Sequence, residues 1–261
     1  MIGGDYSEMA DYGKPHLKKT LRHMYALQNL CGPELNADDA LQEMLDFLCM
    51  MRGVKPVFVT GRGISDRNWI TGMAKIARES GLRVQEGPFW DACPWPDDIP
   101  AWYAEDTRAL LEPFRAVYIT RAKKAGDEVA EICARGGRLS MADEARLLAY
   151  PECCVRAHYL RAEGWNRATL SILARHCDGD EAKMKEMLAS EELPPAETEE
   201  EKIIYKSAYT VFPAKFGSWN LCAKCRESAD SPSAAQIAKN RKVGEFTDPE
   251  FIAKLDGPVA R

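Results

Sequence analysis

Two cysteine pairs, Cys153-Cys154 and Cys222-Ala-Lys-Cys225, constrain this 261-residue chain more than any other feature. The chain has nine cysteines, and its first residues, MIGGDYSEMADYGK, carry neither the basic nor the apolar stretch of an export signal. The resulting expectation is a cytoplasmic protein whose cysteines are thiols or metal ligands rather than a disulfide framework. Cys31, Cys49, Cys133 and Cys177 sit inside apolar helical patterns, where cysteine behaves as a small hydrophobe. Cys93 lies in a loop rich in Pro and Trp. Cys153, Cys154, Cys222 and Cys225 remain as candidate ligands of one metal centre.

Charge and hydropathy exclude two broad classes. A formal net charge of −5 argues against a general nucleic-acid binder, which neutralises phosphates with clustered Lys and Arg. The basic run Lys239 to Lys242 reads as a solvated helix end. No segment approaches the roughly 20 apolar residues that cross a bilayer, so no membrane partner is expected.

Periodicity divides the chain into four regions, expected to form one globular unit. Residues 1–54 read as a helical pair, with Leu17, Leu21, Met24 and Leu27 on one stripe. Asn36 caps the second helix, whose stripe is Leu41, Met44, Leu45 and Leu48. Residues 55–139 alternate three short β-prone runs (56–60, 82–85 and 115–120) with helices. This pattern predicts an α/β fold with a small parallel sheet flanked by helices. Residues 140–243 read as a mostly helical region carrying the cysteine site. Its helices include one starting at Pro151 and a separate one from Arg167 behind an Asn166 N-cap. The acidic stretch Glu191 to Glu201 reads as a surface connection, and residues 244–261 as a weakly ordered tail.

A helix starting at Pro151 would place Cys153 and Cys154 in its first turn, where unpaired N–H groups favour thiolates and metal ligation. His158 shares a helical face with Cys154, which makes it a candidate catalytic group and a substitute ligand. The two-residue gap in Cys222-Ala-Lys-Cys225 lets both sulfurs reach one ion or cluster. Four thiolates suit an iron–sulfur cluster or zinc on ligand softness. Neighbouring helical side chains diverge, so only one of Cys153 and Cys154 would ligate in the catalytic version of the site. A [4Fe–4S] cluster would then keep one iron free for substrate, and zinc one open position.

The run Arg146-Leu-Leu-Ala-Tyr-Pro-Glu-Cys-Cys-Val155 resembles the signature of a family of uncharacterised prokaryotic proteins, a domain of unknown function. Its members carry Gly-Tyr-Pro-x-Cys-Cys-Val after a short α/β region, with further cysteines downstream. Ala149 stands here where that motif has glycine. The resemblance spans about residues 115 to 230; it implies a common site and names no reaction.

Outside the cysteines, Gly61-Arg62-Gly63-Ile64-Ser65 occupies a strand-to-helix turn of the kind that binds anions on backbone N–H groups. A tight turn with a Ser65 N-cap explains the same residues without a ligand. Arg62, Gly63 and Ser65 are candidate substrate contacts, as are Trp219 and Asn220 beside the second cysteine pair. The expectation is an iron–sulfur or iron enzyme acting on a small anionic molecule by redox, Lewis-acid or sulfur-transfer chemistry, with a redox or sulfur-donor partner. The alternative is a zinc-stapled binding or structural protein.

Overall fold

From Met44 to Met51 every side chain of the second helix is buried, and a helix covered on all sides must be wrapped by the rest of the chain. A computed structural model shows how; it describes residues 12–33, 35–61, 64–92, 95–111, 115–190 and 193–257. In chain order the elements begin with α1 (Lys14–Gln28), α2 (Ala37–Met51), β1 (Val57–Thr60), α3 (Arg67–Glu79) and β2 (Arg83–Gly87). Then come β3 (Asp91–Ala92), α4 (Ala101–Leu111), β4 (Ala116–Thr120), α5 (Lys123–Ala134), β5 (Arg138–Leu139) and α6 (Met141–Leu148). The remainder is helical: α7 (Glu152–His176), α8 (Glu181–Ala189), α9 (Glu199–Tyr209), α10 (Ala223–Glu227), α11 (Pro232–Thr247) and α12 (Pro249–Asp256).

The three expected strands form one sheet in the order β1-β4-β2, but it is antiparallel, not parallel. The β1-α3-β2 unit does leave its two strands pointing the same way, and β4 inserts between them in the opposite sense. The reason lies in the excursion between β2 and β4. Gly87 pairs with Ala116, so the chain leaves and re-enters the sheet at the same end. Its helix α4 does not cross over the sheet. It packs through Tyr103 and Ala104, with Ile99 just before it, onto Leu173, Met184 and Leu188 of α7 and α8. A parallel pair needs a crossover that covers the sheet, and this segment provides none. Among the described residues the one parallel pairing is the short β3-β5 ladder.

Helices cover both faces of the sheet. Phe58, Val117 and Ile119 join the core formed with α1, α2 and α3, while Val57, Ala116 and Tyr118 join Val129, Ile132, Leu147 and Leu148 of α5 and α6. Two-sided burial explains the unbroken apolar run of β4, the pattern that imitates a parallel strand.

Four further boundaries differ from expectation. The N-cap of α3 is Asp66, not Ser65, and it accepts from the N–H groups of Asn68 and Trp69. The break at Asn166 is absent. A Glu163–Arg167 ion pair of 2.5 Å spans it, and α9 packs alongside with Trp165 against Tyr205. That neighbour, α9, opens at a Thr198–Glu201 capping box inside the supposed acidic connection. Finally, Gly244 does not begin a tail. It lies within α11, close against Ile252 of α12, and Phe251 is buried in the main core.

Ala149, at the end of α6, adopts a left-handed conformation (φ 54°, ψ 37°), at the position where the resembled motif carries glycine. Such a conformation costs an L-residue about 1 kcal/mol. Ala149→Gly should therefore raise unfolding stability by about 1 kcal/mol, measured by chemical denaturation, and a destabilised variant would refute the strain.

Candidate metal centre

The left-handed turn at Ala149 redirects the chain so that Tyr150 and Pro151 enter α7. Pro151 is extended (φ −61°, ψ 125°) and serves as the N-cap, making Cys153 and Cys154 the second and third residues of the helix. The other pair opens a helix too: Cys222 is the N-cap of α10 and Cys225 its third residue. A tight loop leads into it, in which the Ala214 N–H bonds the Trp219 carbonyl (2.9 Å) and the Leu221 N–H bonds that of Phe212 (2.7 Å). Gly217 sits under the Trp219 ring, where a Cβ would come within 2.5 Å of the indole, so only glycine lets the loop close over Trp219.

The fold brings the four sulfurs of Cys153, Cys154, Cys222 and Cys225 within 4.8 Å of one another. Both members of the adjacent pair take part, contrary to the expectation that their side chains diverge. Cys153 Sγ lies 3.4 Å from Cys225 Sγ, and together with Ala214 and Trp219 the group forms its own buried cluster. Polar donors surround the sulfurs. The Cys222 N–H points at Cys154 Sγ (3.4 Å), and Ser233 Oγ lies 3.2 Å from the same sulfur. Trp219 Nε1 donates to Ser233 Oγ (3.1 Å); an indole nitrogen is a donor only, which leaves the Ser233 proton to be given to sulfur. Ser231 Oγ donates to the Cys225 carbonyl (3.2 Å), fixing α10 to the start of α11.

The thiols of Cys153, Cys154 and Cys225 influence one another's ionisation. Burial pushes the Cys225 thiol up, but the Ser233 hydroxyl and N–H and the thiols of Cys153 and Cys222 outweigh it and bring it down to about 6. Burial and the hydrogen bond to Cys225 push Cys153 well up, and burial raises Cys154. Cys225 thus ionises readily, whereas Cys153 and Cys154 resist ionisation unless a cation joins them.

Other sequence candidates fall around this centre. Trp219 and Asn220 line a cavity of about 690 Å³ that Cys154 also borders, and exposed His158 stands at its wall, outside the four-sulfur group. Ser65 is an exposed residue beside the α3 cap. Arg62, Gly63 and Cys93 lie outside the described residues.

Sequence reasoning missed the polar floor of the cavity. Lys55 and Asp46 form a buried 2.8 Å ion pair with side-chain exposures of 2% and 6%. Lys55 Nζ also donates to Ser218 Oγ (3.2 Å), which Tyr150 Oη meets at 3.0 Å and which bonds Asp46 in turn. Burial opposes the Lys55 charge, yet the Asp46 carboxylate overcomes it and holds the amine above its ordinary range. Half-buried Glu43 lines the same cavity and accepts from Trp69 Nε1 (2.7 Å). Burial raises its carboxyl to about 7, with Trp69 opposing and the Asp46 and Asp39 charges reinforcing the shift. The available signal was Asp46 itself, an acid in the middle of the apolar run Met44–Met51.

No protein-family model matches the chain, and comparison with characterised proteins and with solved structures returns no match.

The raised Glu43 carboxyl has a signed consequence. Protonated Glu43 stabilises the fold below the ordinary value of 4.5, and that contribution is lost as pH rises through about 7. Melting curves of the wild type and Glu43→Gln should diverge between about pH 5 and about pH 8, with the variant gaining relative stability. Parallel curves would show that Glu43 titrates normally.

Proposed function

We propose that Cys153, Cys154, Cys222 and Cys225 hold a single zinc ion in a closed tetrahedral site, and that this centre fixes the wall of a cavity where a small molecule undergoes acid–base chemistry. The carrying observation is the spacing of the sulfurs. A tetrahedral ion with Zn–S bonds of 2.3 Å sets its sulfurs about 3.8 Å apart. The four sulfurs here lie within 4.8 Å of one another, the Cys153–Cys225 pair at 3.4 Å. A cubane cluster carries its thiolates on different irons and spreads them by the width of its core, which this spacing does not leave room for. An all-thiolate tetrahedral set suits zinc, and donors such as the Ser233 hydroxyl and the Cys222 N–H stabilise ligating thiolates from outside.

A closed site leaves no position for substrate, so the chemistry belongs to the adjoining cavity, and neither a redox nor a sulfur-donor partner is required. Glu43, near 7, can both give and take a proton at neutral pH. The charged Lys55 and the Tyr150 and Ser218 hydroxyls form a fixed polar floor against which a substrate oxygen would be oriented. The resemblance of the Tyr150-to-Val155 run to the uncharacterised prokaryotic family is consistent with a shared metal centre.

Metal analysis of anaerobically purified protein tests the reading. The expected result is one equivalent of zinc per chain and, after cobalt substitution, the spectrum of a tetrahedral thiolate site. Cys153→Ser and Cys154→Ser should each lose the ion and destabilise the fold by several kcal/mol, because metal binding and folding are coupled. Stoichiometric iron and sulfide, or a folded chain without metal, would overturn the proposal. So would a Cys153→Ser variant that retains both ion and stability.

A further inference from the structure

A second pocket, of about 720 Å³, opens beyond the end of β2 and has the opposite electrostatic character. Four arginines line it, Arg108, Arg115, Arg135 and Arg138, against one carboxylate, Asp91. That density of positive charge stands out in a chain of net charge −5. Asp91 is committed to the pocket wall. It pairs with Arg108 (3.1 Å) and accepts from Trp95 Nε1 (3.0 Å), while the Arg108 guanidinium lies 5.2 Å from the Trp95 ring centre. Arg115, Arg135 and Arg138 are exposed, and among the described residues no carboxylate lies within ion-pairing distance of them. Guanidinium groups that converge without counter-charges match a phosphate, which they grip with paired N–H donors.

The same pocket has an aromatic wall of Trp90 and Trp95. Trp90, 3% exposed, is stacked on Tyr118 with ring centres 4.5 Å apart. Its buried indole N–H faces the Cys133 thiol, which takes it as a weak acceptor. The volume is that of a site for a small molecule, within the usual range of about 300 to 1,000 Å³.

We propose that this pocket binds a small phosphate-bearing aromatic molecule of the nucleotide class. The phosphate lies among Arg115, Arg135 and Arg138, and the ring lies against the partly exposed Trp95 indole. The observations favour a mononucleotide over a nucleic-acid strand, because the positive charge is confined to one concave site in an acidic chain. This anion site is separate from the Gly61-to-Ser65 turn and from the metal centre. It stands whether or not zinc occupies the cysteines.

Calorimetric titration of the intact, metal-loaded protein with AMP, followed in parallel by tryptophan fluorescence, tests the assignment. Saturable binding with quenching is expected. The Arg135→Glu/Arg138→Glu double variant alters exposed residues only, so its melting temperature should be unchanged while AMP affinity falls about tenfold or more. Inorganic phosphate should bind much more weakly than AMP. Absence of saturable AMP binding, or unchanged affinity in the double variant, would overturn the proposal. Phosphate binding as tightly as AMP would remove the aromatic half of the site, and binding of a single-stranded oligonucleotide without AMP binding would replace a nucleotide pocket with a strand-binding surface.

Discussion

Four thiols confined within 4.8 Å of one another cannot all ionise without a cation among them, and the arrangement around α7 depends on that constraint. Left as neutral thiols, they would be weak donors facing the proton of Ser233 and the N–H of Cys222, an arrangement with too many donors and too few acceptors. As metal-bound thiolates they become the acceptors those groups require. The surroundings are thus built for the charged form of the cysteines. The fall of Cys225 to about 6 is the first step of that charging.

The packing around the cysteine cluster also explains how a loop with little regular structure holds a fixed shape. The segment from Pro213 to Asn220 has one β-bridge and a left-handed Phe216. It is held at one end by Cys222 and Cys225, and in its middle by the buried Asn240 side chain, whose Nδ2 donates to the Phe216 carbonyl (2.8 Å). Asn240 belongs to α11, which packs on α2, so the loop is tied to the most deeply buried helix of the molecule. The stretch expected to be a tail is part of this anchorage.

Local features were legible in the sequence where a single element carries the signal. The stripes of α1 and α2, the Asn36 cap and the grouping of the two cysteine pairs all depend on spacing within a few residues. The sheet direction was not legible. It depends on where α4 packs, a long-range fact, and the two-sided burial of β4 removed the alternation that marks an antiparallel strand. Asn166 offered a good cap, yet tertiary contact with α9 kept α7 continuous, since local capping preference of about 1 kcal/mol yields to packing. The cavity floor was hidden for a related reason. Asp46, Lys55, Tyr150 and Ser218 come from four separate segments, and each has an ordinary local explanation on its own.

The buried Lys55–Asp46 pair is the feature least explained by stability. Removing two charges from water costs about as much as their attraction returns, and apolar residues of similar volume often serve a fold as well or better. Its placement gives it a different meaning. Lys55 and Asp46 both touch Ser218, and Ser218 meets Tyr150; Tyr150 leads directly into the Cys153 helix, and Ser218 precedes Cys222 in the clamped loop. The ion pair therefore bridges α2 and the strand entry to the two segments that the cysteine cluster brings together. An ion that held Cys153 and Cys222 together would hold Tyr150 and Ser218 over the pair at the same time. Metal centre and cavity floor are in this sense one mechanical unit, with the charge expensive to bury placed where a polar substrate could repay its desolvation.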